Sequence, residues 1–386
     1  MLEVLVWLSL AVIFYVWILF PAGMFLLAKL PVKRERIAEI KEFKITPSVS
    51  VILPVYKGSG KINEKLNNVF SIDYPEDLLE VILVLDGSPP ETLDEAFCVK
   101  TELQGKRLRI LALEKNRGKS AAQNAGIAIA SGDIILFSDL EAVLARNVLQ
   151  LAIPLFSNPK VGCVGLNVKF RLMAWDKSGA QKDYGKFENT IRAAEAKLGT
   201  LTSIFGSAFL VRKKYFRKLD EDTGDDFIIP LDLALAGYST QFCDDAVVLD
   251  DYSSRSYRNE IRYRRRVVVR NLLGLLRRKA LLNPLKYPLL SFTLWSHKLL
   301  RWFFPVFLLC LLLSSCILRN ENEIYYIIFI MQILFYVTSI VGILGTIAGF
   351  RVGPLGYAAA FLVGNLGMLT GIISLISGFR VRAYNN

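Results

Sequence analysis

Two groups of carboxylates stand out by residue type and spacing. Asp139-Leu140-Glu141 places two hard oxygen donors two positions apart, directly after the apolar run I-I-L-F. In an extended segment, residues i and i+2 project to the same side. Such a pair suits a divalent cation, Mg2+ or Mn2+, bridging to a diphosphate whose oxygens complete the shell. Asp225-Asp226 stand beside Phe227, Ile228 and Ile229. Like charges in a partly apolar setting push one carboxyl toward the pKa of a general base. Each group alone has an ordinary reading. The first is a turn or helix cap, and the second is a solvated acidic loop continuing Asp220, Glu221 and Asp222. Together they describe group transfer from an activated donor to a hydroxyl.

These side chains need a scaffold, and residues 46–140 read as one. The run P-S-V-S-V-I-L-P-V-Y is nearly all apolar, as expected of a strand buried on both faces. A helix with Ile62, Leu66, Val69 and Phe70 on one face follows it. L-L-E-V-I-L-V-L-D then repeats the buried-strand pattern as far as Asp86. L-R-I-L-A-L is a third strand, K-S-A-A-Q-N-A-G-I-A-I-A a helix, and G-D-I-I-L-F-S-D a fourth strand ending at Asp139. Alternating strands and helices imply a parallel sheet with right-handed crossovers. Ligands collect at the carboxyl ends of such strands, where Tyr56, Asp86 and Asp139 fall. Asp86-Gly87-Ser88 is a turn by composition, and also a carboxylate placed to accept from a base or ribose. Gly118-Lys119 open the alanine-rich helix, and a helix N-terminus with a lysine is an anion site.

The ends of the chain differ in kind. Of 386 residues, 53% are hydrophobic, and residues 4–28, 302–318, 324–350 and 352–379 carry no charge. About 20 apolar residues cross a bilayer, so three stretches suffice and 302–318 is marginal. The first is too long for a signal-peptide core and reads as a retained anchor. The expected division is an anchor at 1–30, a catalytic domain at 46–255, basic amphipathic interface helices at 256–301 and about three membrane helices at 302–379. Lys29, Lys33, Arg34, Arg36 and the segment Arg262 to Arg278 flank the apolar stretches, which places the domain on the cytoplasmic side of the plasma membrane. Four crossings would strand the tail F-R-V-R-A-Y outside, against that rule, unless 282–301 also crosses or a later stretch does not.

The net charge of +12 is concentrated beside apolar segments, where it meets anionic membrane lipids rather than nucleic acid. Five cysteines without C-x-x-C spacing fit a reducing compartment. A single histidine, His297, excludes histidine-cluster metal sites.

The ordered set V-S-V-I-L-P-V-Y, D-Y-P-E-D-L-L-E-V-I-L-V-L-D-G-S, N-R-G-K-S-A-A-Q-N, F-S-D-L-E, F-G-S-A-F-L-V-R-K, D-D-F and W-S-H-K-L-L-R-W resembles membrane-bound family 2 glycosyltransferases of the cellulose-synthase-like and bacterial exopolysaccharide type. The resemblance implies a GT-A fold, that is, a Rossmann-like α/β domain with a mostly parallel sheet, joined to an α-helical transmembrane region. It implies an inverting hexosyltransferase that uses a UDP- or GDP-sugar, a divalent metal and a saccharide or lipid-linked acceptor. By position, Pro54, Tyr56, Asp86, Lys119 and Asp139 match nucleotide-sugar contacts, Glu141 the main metal ligand with Asp139, Gly206 and Ser207 an acceptor motif, and Asp226 the base, with Asp225 before it. Lys57-Gly58 replace the usual Asn-Glu. Tyr263, Arg266 and Val267 stand at the Gln, Arg and Trp of the processive motif, and Arg266 is the expected diphosphate contact. Alternative readings are a polyprenyl-phosphate glycosyltransferase and a non-catalytic scaffold with a degenerate transferase domain. Three C-terminal spans are few to enclose a channel, so export calls for a homo-oligomer or a partner.

Overall fold

The computed structural model describes residues 1–29, 46–170, 178–250, 256–350 and 352–380; Lys33, Arg34 and Arg36 lie outside the described residues. One eight-stranded sheet forms the domain, in the order β3-β2-β1-β4-β7-β6-β8-β5. Strands β1 (Val49–Val55), β2 (Leu79–Asp86), β3 (Leu108–Leu113) and β4 (Ile134–Ser138) pair in parallel, as their apolar runs require. Val51, Ile52, Leu53, Ile82, Leu83 and Val84 have no measurable exposure, since both faces of this half are covered by helices.

The rest of the sheet adds antiparallel pairings, although four of the seven strand pairs among the described residues are parallel, as expected. Here β5 is Ala142–Leu144, β6 Val161–Phe170, β7 Ala208–Arg212 and β8 Ser239–Asp250. Strand β7 runs antiparallel to both β4 and β6, and β5 antiparallel to β8, while β6 and β8 pair in parallel. Gly162 and Gly165 interrupt the apolar run of β6, and Asp244-Asp245 that of β8. Their pairing is fixed by the sheet rather than by any local pattern.

Among the described residues four helices are long and apolar enough to cross a membrane: Leu2–Lys29, Pro288–Leu318, Glu323–Ile347 and Leu355–Ile376. Residues 288–318 form one helical run, so the division drawn at 301/302 passes through it. The first two helices each contain a π-helical segment, Tyr15–Leu19 and Leu294–Leu299, and the two are joined by Tyr15 Oη and Ser296 Oγ at 2.6 Å. The last helix contacts the domain near one end and the basic helix Tyr257–Arg277 along the rest. Tyr357 Oη donates to Asp183 at 2.6 Å, Gly367 and Gly371 receive Arg264 and Val268 of the basic helix Tyr257–Arg277, and Arg265 lies 4.3 Å from the Phe379 ring.

Candidate active site

Each chemical side chain sits at a strand end or a helix N-terminus. Asp86 ends β2, Asp139 follows β4, Lys119 opens the helix Lys119–Ile129, and Asp225 and Asp226 open the helix Asp225–Leu235. That last helix starts where the first-turn N–H groups are free, a favourable place for carboxylates.

Lys119 is the hub. Its side chain is 9% exposed, and its Nζ lies 2.7 Å from Asp139 Oδ1 and 3.3 Å from Asp225 Oδ2. It also donates to the Gly206 carbonyl at 2.7 Å. One ammonium therefore joins three segments that are far apart in sequence. Gly206 faces Asp226, and a Cβ added there would lie 3.5 Å from the Asp226 Cβ. The next residue, Ser207, accepts from the Asp139 N–H at 2.8 Å. Asp139, Lys119, Gly206, Asp225 and Asp226 thus lie together.

Asp86 is turned toward the loop. Its two oxygens accept from Arg117 N at 2.9 Å and Gly118 N at 2.7 Å, and the residue is buried. Gly118 caps the lysine helix at φ +94°, a conformation an L side chain enters only with strain. Asp86 thus aims Lys119 at the cleft. Ser88 and Tyr56 mark the other wall: Ser88 Oγ donates to the Val55 carbonyl at 3.0 Å, and Tyr56 follows Pro54 and Val55 at the end of β1. The unexpected Lys57-Gly58 has a packing reason, since a Cβ on Gly58 would meet Leu140 Cδ2 at 2.5 Å.

The D-L-E triplet alternates as its spacing requires. Leu140 is buried in the core, whereas the Asp139 and Glu141 side chains are 34% and 43% exposed. Lys61 lies 3.7 Å from Glu141. Behind the turn, the buried Lys65 donates to Ser138 Oγ at 2.8 Å and to the Ala142 carbonyl. Among the described residues no cluster of three or more His, Cys, Asp or Glu forms. Two hard oxygens facing the cleft fit a divalent cation whose shell is completed by a diphosphate.

The aspartate pair is split electrostatically. Asp225 accepts from Gln123 Nε2 at 2.6 Å. Burial opposes its ionisation, but Lys119, Gln123 and Arg270 hold its carboxyl below the usual range. The Asp226 carbonyl accepts from Ile204 N at 3.0 Å, but its carboxylate has no hydrogen bond or ion pair among the described residues, and burial followed by the Asp225 charge pushes it up to about 6. Asp139 is likewise raised to about 6 by burial, against the pull of Lys119.

Arg270 is a further arginine that residue spacing does not single out, with a role different from the one expected of Arg266. Arg270 is buried, and its Nη2 donates to Ser120 Oγ at 2.8 Å and to the Thr223 carbonyl. It fixes the turn that launches Asp225. Arg266 lies 5.7 Å from the Tyr263 ring on the same helix. The two arginines sit one helical turn apart, and only tertiary packing distinguishes them.

The sequence profile described as Glycosyl transferase family 2 matches residues 50–220. This segment belongs to glycosyl transferase family 2. The match runs from β1 to the loop before Asp225 and so covers Asp86, Lys119, Asp139, Glu141 and the G-S motif. An N-acetylglucosaminyltransferase of Bradyrhizobium diazoefficiens is 26% identical over 239 residues, 57% of this chain and 49% of that protein. A poly-beta-1,6-N-acetyl-D-glucosamine synthase of Staphylococcus epidermidis is 27% identical over 222 residues, 57% of this chain and 52% of that protein. The aligned part thus spans about half the length of these curated relatives. The solved structure of the mannosyltransferase PcManGT from Pyrobaculum calidifontis in complex with GDP-Man and Mn2+ has a TM-score of 0.74 at 20% identity, covering 97% of this chain and 99% of that one. The fold is therefore the GT-A fold, carried together with the apolar helices.

Proposed function

We propose that this protein is an inverting, metal-dependent glycosyltransferase. It moves a sugar from a UDP- or GDP-sugar to a saccharide or lipid-linked saccharide at the cytoplasmic face of the plasma membrane, in polysaccharide synthesis. The observation that carries this reading is the Lys119 hub, which brings Asp139 and Asp225 within 2.7 and 3.3 Å of one ammonium, with Gly206 packed on Asp226.

Asp226 takes the proton from the acceptor hydroxyl as it attacks the anomeric carbon. Its raised pKa makes it basic enough for this while it stays ionised near neutral pH. Asp225 stays charged and keeps that pKa high. Asp139 and Glu141 are the residues that would hold Mg2+ or Mn2+, and the bound cation would neutralise the departing diphosphate. Lys119 adds a fixed positive charge at the same place. Pro54 and Tyr56 line the donor end, Asp86 sets the loop that carries Lys119, and Gly206 and Ser207 border the acceptor. The named relatives, two of them N-acetylglucosamine enzymes and one a GDP-Man complex, define the donors to try first.

The test is a screen of nucleotide sugars with the detergent-solubilised protein and Mn2+, reading released nucleoside diphosphate. Turnover of one donor that is abolished by chelator supports the proposal. No turnover of any donor in the presence of membrane extract would leave the scaffold reading standing.

A further inference from the structure

A second charged cluster lies between the helix Ala180–Leu198 and the π-helical segment of Pro288–Leu318, and the transfer chemistry does not use it. Glu188 pairs with Arg192 at 3.2 Å and with Arg301. His297 Nδ1 meets Glu195, and its Nε2 lies 3.4 Å from Glu188. Lys298 joins them with no ion pair among the described residues, flanked by Glu188, Arg192, Glu195 and Arg301. Arg192, Lys298 and Arg301 are only 7%, 9% and 8% exposed.

The cluster leaves more donors than acceptors unmet: four guanidinium nitrogens against the single oxygen Glu195 Oε2, among the described residues. Two arginines and a lysine face two carboxylates, and one carboxylate is already shared among Arg192, Arg301 and His297. Arg192 Nε and Nη1, and Arg301 Nε and Nη2, are buried without a hydrogen-bond partner among the described residues. A buried donor left unmade is costly, and four on two guanidinium forks call for a multivalent oxyanion. The apolar surroundings say where it comes from. Arg301 lies 5.2 Å from the Trp17 ring and 5.5 Å from the Phe187 ring, and His297 stacks 5.7 Å from Phe20. Trp17 and Phe20 belong to the first membrane helix. Ionisable groups at such a junction mark a ligand path, and π-helical segments recur at functional sites. The cluster also reaches the cleft: the Arg192 guanidinium sits 3.8 Å over Phe205, the residue before Gly206, and its charge acts on Asp226.

We infer that Arg192, Lys298 and Arg301 form a docking site for the phosphate or diphosphate of a lipid carrier, holding a lipid-linked saccharide with its hydroxyl toward Asp226. This rests on the proposed transferase reading and narrows its acceptor to the lipid-linked class.

The test uses the full chain in detergent. Farnesyl diphosphate should raise the melting temperature of the wild type and of Lys298→Arg, but not of Lys298→Gln or Arg192→Gln, and farnesol should shift none of them. Lys298 has no ion pair to lose, so its variant keeps the fold. Inorganic pyrophosphate should stabilise at least tenfold less well by concentration; equal potency would mean a soluble anion and overturn the lipid assignment. In transfer assays with a farnesyl diphosphate-linked saccharide and its phosphate-free farnesyl glycoside, Lys298→Gln should raise KM about tenfold for the first only. Equal KM for both acceptors in the wild type, or equal losses in the variant, overturns the site. Absence of all donor turnover would instead defeat the transferase reading, while the melting shifts still decide the anion site.

Discussion

At the scale of single residues, the account turns on the unequal aspartates. Asp226 is raised from an ordinary 3.8 to about 6 by burial and by Asp225, so the folded state holds its proton more tightly than the unfolded chain does. The stability this gives is fully present below pH 3.8 and is lost as pH rises through about 6. At pH 8 the ionised group therefore costs the fold energy, up to about 3 kcal/mol for a shift of roughly two units. Asp226→Asn should melt higher than the wild type at pH 8, with the difference closing as pH falls toward 4; differential scanning calorimetry in detergent reads both. Transfer should lose its acid limb near pH 6 for the same reason. Lys119 predicts the opposite sign. Lys119→Met strands Asp139 and Asp225 without their cation, which should cost about 3–5 kcal/mol at pH 8 and less at pH 5, where Asp139 takes up a proton.

At the scale of elements, much was legible and the failures are instructive. The helices Ile62–Phe70 and Lys119–Ile129 and strands β1 to β4 follow from uninterrupted apolar runs and a 3.6-residue period. Asp139, Glu141, Asp225 and Asp226 could be singled out because acidic groups directly after or before such runs are conspicuous. The basic helix Tyr257–Arg277 was harder, since its arginines repeat and periodicity cannot say which face meets the domain. Arg270, Arg277 and Arg278 are the ones that clamp the turn and helix at Asp220 to Asp232: Arg277 binds Asp222 through two bonds of 2.6 and 2.7 Å, and Arg278 binds Asp232 likewise at 2.6 and 2.7 Å. Arg270→Lys removes the fork that joins Ser120 to Thr223. It should lower kcat by about tenfold or more through misplacement of the base, with the donor KM changed far less. Glu188, Arg192 and Glu195 share one helical face, spaced i, i+4 and i+7, but their partners His297 and Arg301 lie about a hundred residues away, so the sequence reading did not single them out.

At the scale of the molecule, the tail conflict bears on the last apolar helix; residues 381–386 of that tail lie outside the described residues. Tyr357 at one end touches Asp183; at the other, Phe379 touches Arg265, and Arg380 acts on Asp222. Among the described residues all four apolar helices are candidate spans, and if the last one stays packed on the rest of the chain, three crossings remain, Leu2–Lys29, Pro288–Leu318 and Glu323–Ile347. A cysteine placed after Arg380 in a chain otherwise lacking exposed thiols should resist membrane-impermeant maleimide in intact cells and react after lysis; labelling in intact cells would restore the fourth crossing. The central claim is that this assembly delivers an acceptor hydroxyl to Asp226 beside a bound sugar donor. Single-turnover transfer by Asp226→Asn, with the donor pre-bound, tests it most directly. The account predicts unchanged donor binding and a transfer rate lower by about 10²- to 10⁴-fold; transfer at the wild-type rate would contradict it.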